Sequence, residues 1–100
     1  MRREERDIKI PDNGQIGTGV PTVEFNGMWL GIEGTFIGSV DVEGLLSADL
    51  TVWTTILAGV NAATVVEIKP QFAQVRINGT NLTGLTGGKA KLVGFNQRTQ

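Results

Sequence analysis

Apolar and polar residues alternate along this chain in short runs, and the period is two. Met28, Leu30 and Ile32 share one side of the run 28–36. Val40 and Val42 point one way in the run 38–46, while Ser39, Asp41 and Glu43 point the other. Ala73, Val75 and Ile77 alternate with Gln74, Arg76 and Asn78, and Ala90 and Leu92 alternate with Lys89, Lys91 and Val93. Side chains on a strand face opposite ways in turn, so each run reads as a strand with one covered face. Runs 8–10, 21–25, 50–57 and 64–69 are also rich in β-branched or alternating residues and are predicted strands. In 50–57, Leu50, Val52, Thr54 and Ile56 share one face, and Thr51, Trp53 and Thr55 share the other.

Turn chemistry separates these runs. Pro11-Asp12-Asn13-Gly14, Ser47-Ala48-Asp49, the segment 58–61, Pro70 and Thr86-Gly87-Gly88 all read as turns, and Asn26-Gly27 is a hairpin signal. No window holds a sustained helical period. Segment 44–60 is apolar and free of proline, but Thr51, Val52, Thr54, Thr55 and Ile56 are β-branched and lose rotamer freedom in a helix. Strands at a spacing of about 8–12 residues predict an all-β chain. The expected fold is a single-domain antiparallel β-sandwich, jelly-roll-like, with about eight short strands.

Residues 1–7 hold three arginines and three acids, so 1–10 is expected as a charged arm and 11–100 as the sandwich. One reading of the arm is a frayed end. The other is a strand added to a neighbour's sheet edge, with Arg2, Arg3 and Arg6 pairing with carboxylates and Ile8 and Ile10 setting register.

Composition narrows the chemistry. The net charge is −1, which gives no support for binding nucleic acid or an acidic membrane. No apolar run approaches the length of a membrane span, and the charged opening lacks the apolar core of a signal peptide. His, Cys and Tyr are absent, which excludes thiolate chemistry, zinc fingers and Ser-His-Asp triads. Ser39 and Ser47 lie in no nucleophile elbow, and Gly17-Thr18-Gly19 precedes Val20-Pro21 rather than a helix. No catalytic residue or cofactor is expected, and the chain reads as a non-enzyme. The sequons at Asn78 and Asn81 read as a polar turn.

Asp41 and Glu43 lie on one face of their strand. The simplest reading is a solvent-facing wall. With Glu33 and Asp49 they would make a weak cation site, and as a pair they would serve acid–base chemistry. Trp29 and Trp53 both lie opposite the apolar rows of their strands, so each is either covered by a second layer or part of a stacking surface for a sugar or a partner. Charge is also segregated: 10–68 carries acids but no Lys or Arg, and 69–100 carries Lys69, Arg76, Lys89, Lys91 and Arg98 but no acid. Either these segments neutralise one another within the sandwich, or they form complementary patches for assembly.

Three stretches carry a resemblance: GTFIGSVDVEG from Gly34, LTVWTTI around Trp53, and PQFAQVRINGTNLTG from Pro70, with Phe72 and Ala73 ahead of Val75-Arg76. Their order over about 30–95 resembles small bacteriophage virion proteins. That resemblance implies a jelly-roll-like sandwich in a phage particle, made in the host cytoplasm. It implies a capsid decoration, or cement, protein that binds the major capsid protein or other virion subunits, as a dimer or trimer. The alternatives are a carbohydrate-binding module and a fibre, tail, neck or baseplate component.

Overall fold

The computed structural model describes residues 2–96, and they form eight strands and no helix. The strands are β1 (Arg2–Asp7), β2 (Val20–Pro21), β3 (Gly27–Gly38), β4 (Val40–Leu45), β5 (Thr54–Val60), β6 (Thr64–Ile68), β7 (Gln74–Asn78) and β8 (Leu82–Asn96). Two four-stranded sheets result: sheet A in the order β1-β8-β3-β6 and sheet B in the order β2-β7-β4-β5. All pairings are antiparallel. Successive strands up to β4 alternate between sheets; β7 and β8 slot between them, and β5 and β6 stand at the edges. That is the strand order of a jelly roll, in which a long ribbon of paired strands folds over on itself.

The apolar rows read from the sequence meet between the sheets. Met28, Leu30, Ile32, Val40, Val42, Val75, Ile77, Leu82 and Leu92 are all almost fully buried in one cluster. Phe72 joins them by lying on Gly44, where an added Cβ would come within 2.5 Å of the ring. Thr22 is the one buried hydroxyl of this layer, and its Oγ1 donates to Phe72 O at 2.8 Å.

The stretch GTFIGSVDVEG is where the ribbon turns the corner from sheet A to sheet B. β3 ends at Gly38, Ser39 alone links it to β4, and Ser39 N–H donates to Asn81 O at 3.2 Å. Gly38 has φ +87, and a Cβ there would collide with Asn81 O. Beside it, Asn78 Oδ1 accepts from Thr80 N–H at 3.0 Å, which shapes the matching corner between β7 and β8. Those corners are the polar turn expected at the two sequons.

The structure corrects several sequence expectations. The expected arm is not separate from the sandwich. Arg2–Asp7 pairs along its length with β8, Ile8 is buried in the core, and Ile10 packs against it. The edge backbone of β8 supplies the hydrogen bonds that composition could not reveal. Met1 and Arg98 lie outside the described residues, as does the side chain of Arg2. Asn26-Gly27 makes no hairpin. Phe25 packs on Gly94 and Asn26 N–H donates to Phe95 O at 2.8 Å, which carries the chain into β3 beside β8. Of the expected strand 21–25 only Pro21 pairs, as the second residue of β2. Residues 50–53 are loop rather than strand, and the run 8–10 is not a strand. Thr86-Gly87-Gly88 is a bulge within β8, not a turn: Glu33 pairs with Lys89 and Thr35 with Thr86, and Gly87 takes φ +67.

The corner predicts a contrast between two glycines. Gly38→Ala should lower stability by about 2 kcal/mol or more, because it adds a strained backbone and a steric clash. A Cβ on Gly27 meets nothing within 4 Å, so Gly27→Ala should stay within about 0.5 kcal/mol of wild type. Urea midpoints measured on both variants check this.

Candidate functional site

The two tryptophans lie on the outer faces of different sheets, and the faces differ in kind. Sheet B is covered. Residues 46–53 connect β4 to β5, and the Trp53 ring reaches Gly19, whose added Cβ would lie 3.0 Å from Trp53 Cη2. Under that ring, the Arg76 guanidinium lies 4.0 Å from the ring centroid. Arg76 Nε donates to Glu43 Oε1 at 2.8 Å, and Asn78 Nδ2 donates to Glu43 Oε2 at 3.0 Å. Glu43 and Arg76 are direct cross-strand partners between β4 and β7, so the strand register itself places the charges together. Leu45, on the same outer side of β4, is buried yet lies outside the contiguous core cluster. The outer face of sheet B therefore carries a small second layer.

This settles what Asp41 and Glu43 do in the fold. Glu43 is buried and paired rather than solvent-facing. Asp41 Oδ1 accepts from Gly59 N–H at 2.9 Å and fixes the end of β5. Glu33 sits on the outer face of sheet A, away from both, and among the described residues no group of three acids converges as a metal site would need.

Among the described residues, the charges segregated along the sequence meet in one pair, Arg76 with Glu43. Lys91 instead meets Asp7 of β1, at 2.6 Å. Hydrogen bonding to Asp7 holds the Lys91 ammonium above the usual lysine range. Arg6 bridges the sheets at one edge. Its Nη1 donates to Pro21 O at 2.6 Å and lies 2.6 Å from Glu24 Oε1, a buried oxygen with no other hydrogen-bond partner. Its Nη2 contacts Glu4, and its guanidinium covers the Phe25 ring at 4.6 Å. The Glu24 contact outweighs burial and raises the Arg6 pKa above its already high ordinary value. Arg3 pairs with Glu5 at 3.1 Å. Of the residues expected to face a partner, Arg6, Ile8 and Ile10 are thus engaged by their own fold.

Sheet A is open. Trp29 is 43% exposed in the middle of its outer face. Across the strands its neighbours are Val93 on β8 and Glu67 on β6, and Glu5 on β1 follows beyond Val93. Along β3 the next outward residues are Gly27 and Gly31, and a Cβ at either would meet nothing within 4 Å. Gly31 also lines a groove of about 770 Å³ that takes in Ile10, Ile32, Val65, Leu85 and Lys89. The local signal that would have separated this platform from a covered face is the run GMWLG, a tryptophan with glycine two residues away on each side of the same strand face. The Glu43–Arg76 pair had no such local signal, since it depends on which strands become neighbours.

The faces give opposite outcomes for the two tryptophans. Trp53→Ala should cost about 2–3 kcal/mol, from lost cover and the lost cation–π contact. Trp29→Ala should cost about 1 kcal/mol or less. Arg76→Met strips Glu43 of its charge partner and should cost about 2–3 kcal/mol. Chemical melts of the three variants test the order.

No family model, curated protein or solved structure matches this chain. Its function is therefore argued from its own geometry.

Proposed function

We propose that this chain is a structural subunit of a virus particle, a bacteriophage capsid decoration protein that docks by its β5–β6 side. One observation carries the reading: the two sides of the sandwich are unequally guarded. On one side stand β1, charged at every position, and β2, two residues long and ending in Pro21. Charge, proline and shortness all deter a foreign strand. On the other side stand β5 and β6, the edges of the two sheets, joined by a short loop. Between Asp49 and Glu67 the chain carries no charged residue.

An edge without such guards can pair with another chain, and main-chain hydrogen bonds then supply affinity. Exposed Val65 on β6 adds apolar area to the same wall. β5 carries two register shifts against β4, which bend it, whereas β6 pairs regularly with β3. The regular edge of β6 is the better template for an added strand. The jelly-roll order supports the reading by analogy, since capsid subunits use it, and so do lectins. Binding through this wall would join the subunit to the shell or to a second copy.

The test is a double variant, Ala58→Lys with Val65→Lys, both at exposed positions. Heads banded from a lysate of cells producing the particle should carry the wild-type chain. The variant should stay in the free fraction with an unchanged melt, and heads lacking the chain should open at lower temperature. A chain absent from purified heads, or a variant bound as well as wild type, contradicts the proposal.

A further inference from the structure

We infer that the outer face of sheet A around Trp29 is a binding site for a neutral oligosaccharide. This does not rest on the structural role proposed above, because the Trp29 row crosses β1, β8 and β3 and meets the β5–β6 side only at Glu67.

The geometry selects the ligand in steps. Trp29 is large and exposed, yet its strand neighbours on that face are glycines, so the indole stands above a flat backbone floor. A flat floor with one projecting ring suits a rigid, extended molecule lying along β3. The face of an indole is electronegative and attracts the weakly positive C–H groups on one side of a pyranose ring. Phe95, part-exposed and cross-strand from Gly27, places a second ring diagonal to Trp29. Diagonal neighbours on a sheet are about 7–8 Å apart, so the rings span more than one point of a chain.

The rim selects against other ligands. Glu67 and Glu5 end the same row as Trp29. Ionised carboxylates only accept hydrogen bonds, so they take hydroxyl donors and repel phosphate or sulfate. The bases on this face are already held, Lys91 by Asp7 and Arg3, cross-strand from Phe95, by Glu5. The groove that continues past Gly31 is lined by both signs, Asp7 and Glu33 with Lys9, Lys89 and Lys91. A balanced rim has no field to recruit a polyanion. Neutral, hydroxyl-rich chains satisfy both the ring and the rim.

The test titrates cello-, malto-, laminari- and chito-oligosaccharides into the Trp53→Phe chain, in which Trp29 is the sole indole. At least one of them should shift Trp29 emission. Calorimetry on the otherwise wild-type chain should show the same ligand bound, with a loss of about tenfold or more in affinity on Trp29→Ala. Gly31→Leu fills the floor without touching the ring and should weaken binding similarly, while Trp29→Tyr should retain most of it. The inference is overturned if none of the four binds at roughly millimolar concentration. It is equally overturned if binding survives both Trp29→Ala and Gly31→Leu, if only dextran sulfate binds and salt removes it, or if Trp29→Ala abolishes self-association instead.

Discussion

Every sheet edge presents backbone N–H and C=O groups that have no partner within the sheet, and this sandwich has four such edges. How each is managed organises the molecule. β1 sits at one edge with a row of charges, and Arg6 points inward from it to clamp Pro21 and Glu24 of the opposite layer. An inward charge of this kind fixes the edge to its own fold and makes it a poor template. β2, below it, is too short to recruit a strand. The opposite edges, β5 and β6, have neither charge until Glu67 nor proline. The sandwich is therefore polar in the mechanical sense: one side is closed and the other is available.

The two broad faces repeat this inequality. Outside sheet B, the 46–53 loop and Trp53 seat Arg76 over Glu43, and the pair is shielded enough to act as structure. Outside sheet A, Gly27 and Gly31 remove the side chains that would otherwise crowd Trp29. Covering one face and clearing the other leaves the molecule with two broad faces of different chemistry. The corner at Gly38 keeps those surfaces in fixed relation, because it allows the ribbon to cross between sheets with only Ser39 as a link.

Much of the fold was legible because burial on one side writes a period of two into the chain. The core rows of β3, β4 and β7 could be named residue by residue from that period, and the jelly-roll-like sandwich followed from the number and spacing of the strands. What failed were features decided by distant partners. The charged β1 reads as an arm until β8 is known to have a free edge beside it. Asn26-Gly27 reads as a hairpin until Phe25 is known to pack on Gly94, far along the chain. Gly87 marks a turn by its local chemistry, yet a bulge uses the same positive φ inside a continuous strand. Of the candidate site, Trp29 was legible only as a residue opposite the apolar row of its strand, and whether a second layer covered it stayed open. The fate of Trp53 was hidden too, because it lies on a loop that was expected to be strand and that seats its ring on Arg76 of β7.

The central claim is that the β5–β6 side is the assembly surface and the β1–β2 side is closed. Amide hydrogen exchange followed by mass spectrometry, on the free chain and on the chain bound to heads, tests it most directly. The account predicts new protection in peptides covering β5 and β6, Thr54–Val60 and Thr64–Ile68, with peptides covering β1 unchanged. New protection in β1, with β5 and β6 exchanging as in the free chain, would contradict it.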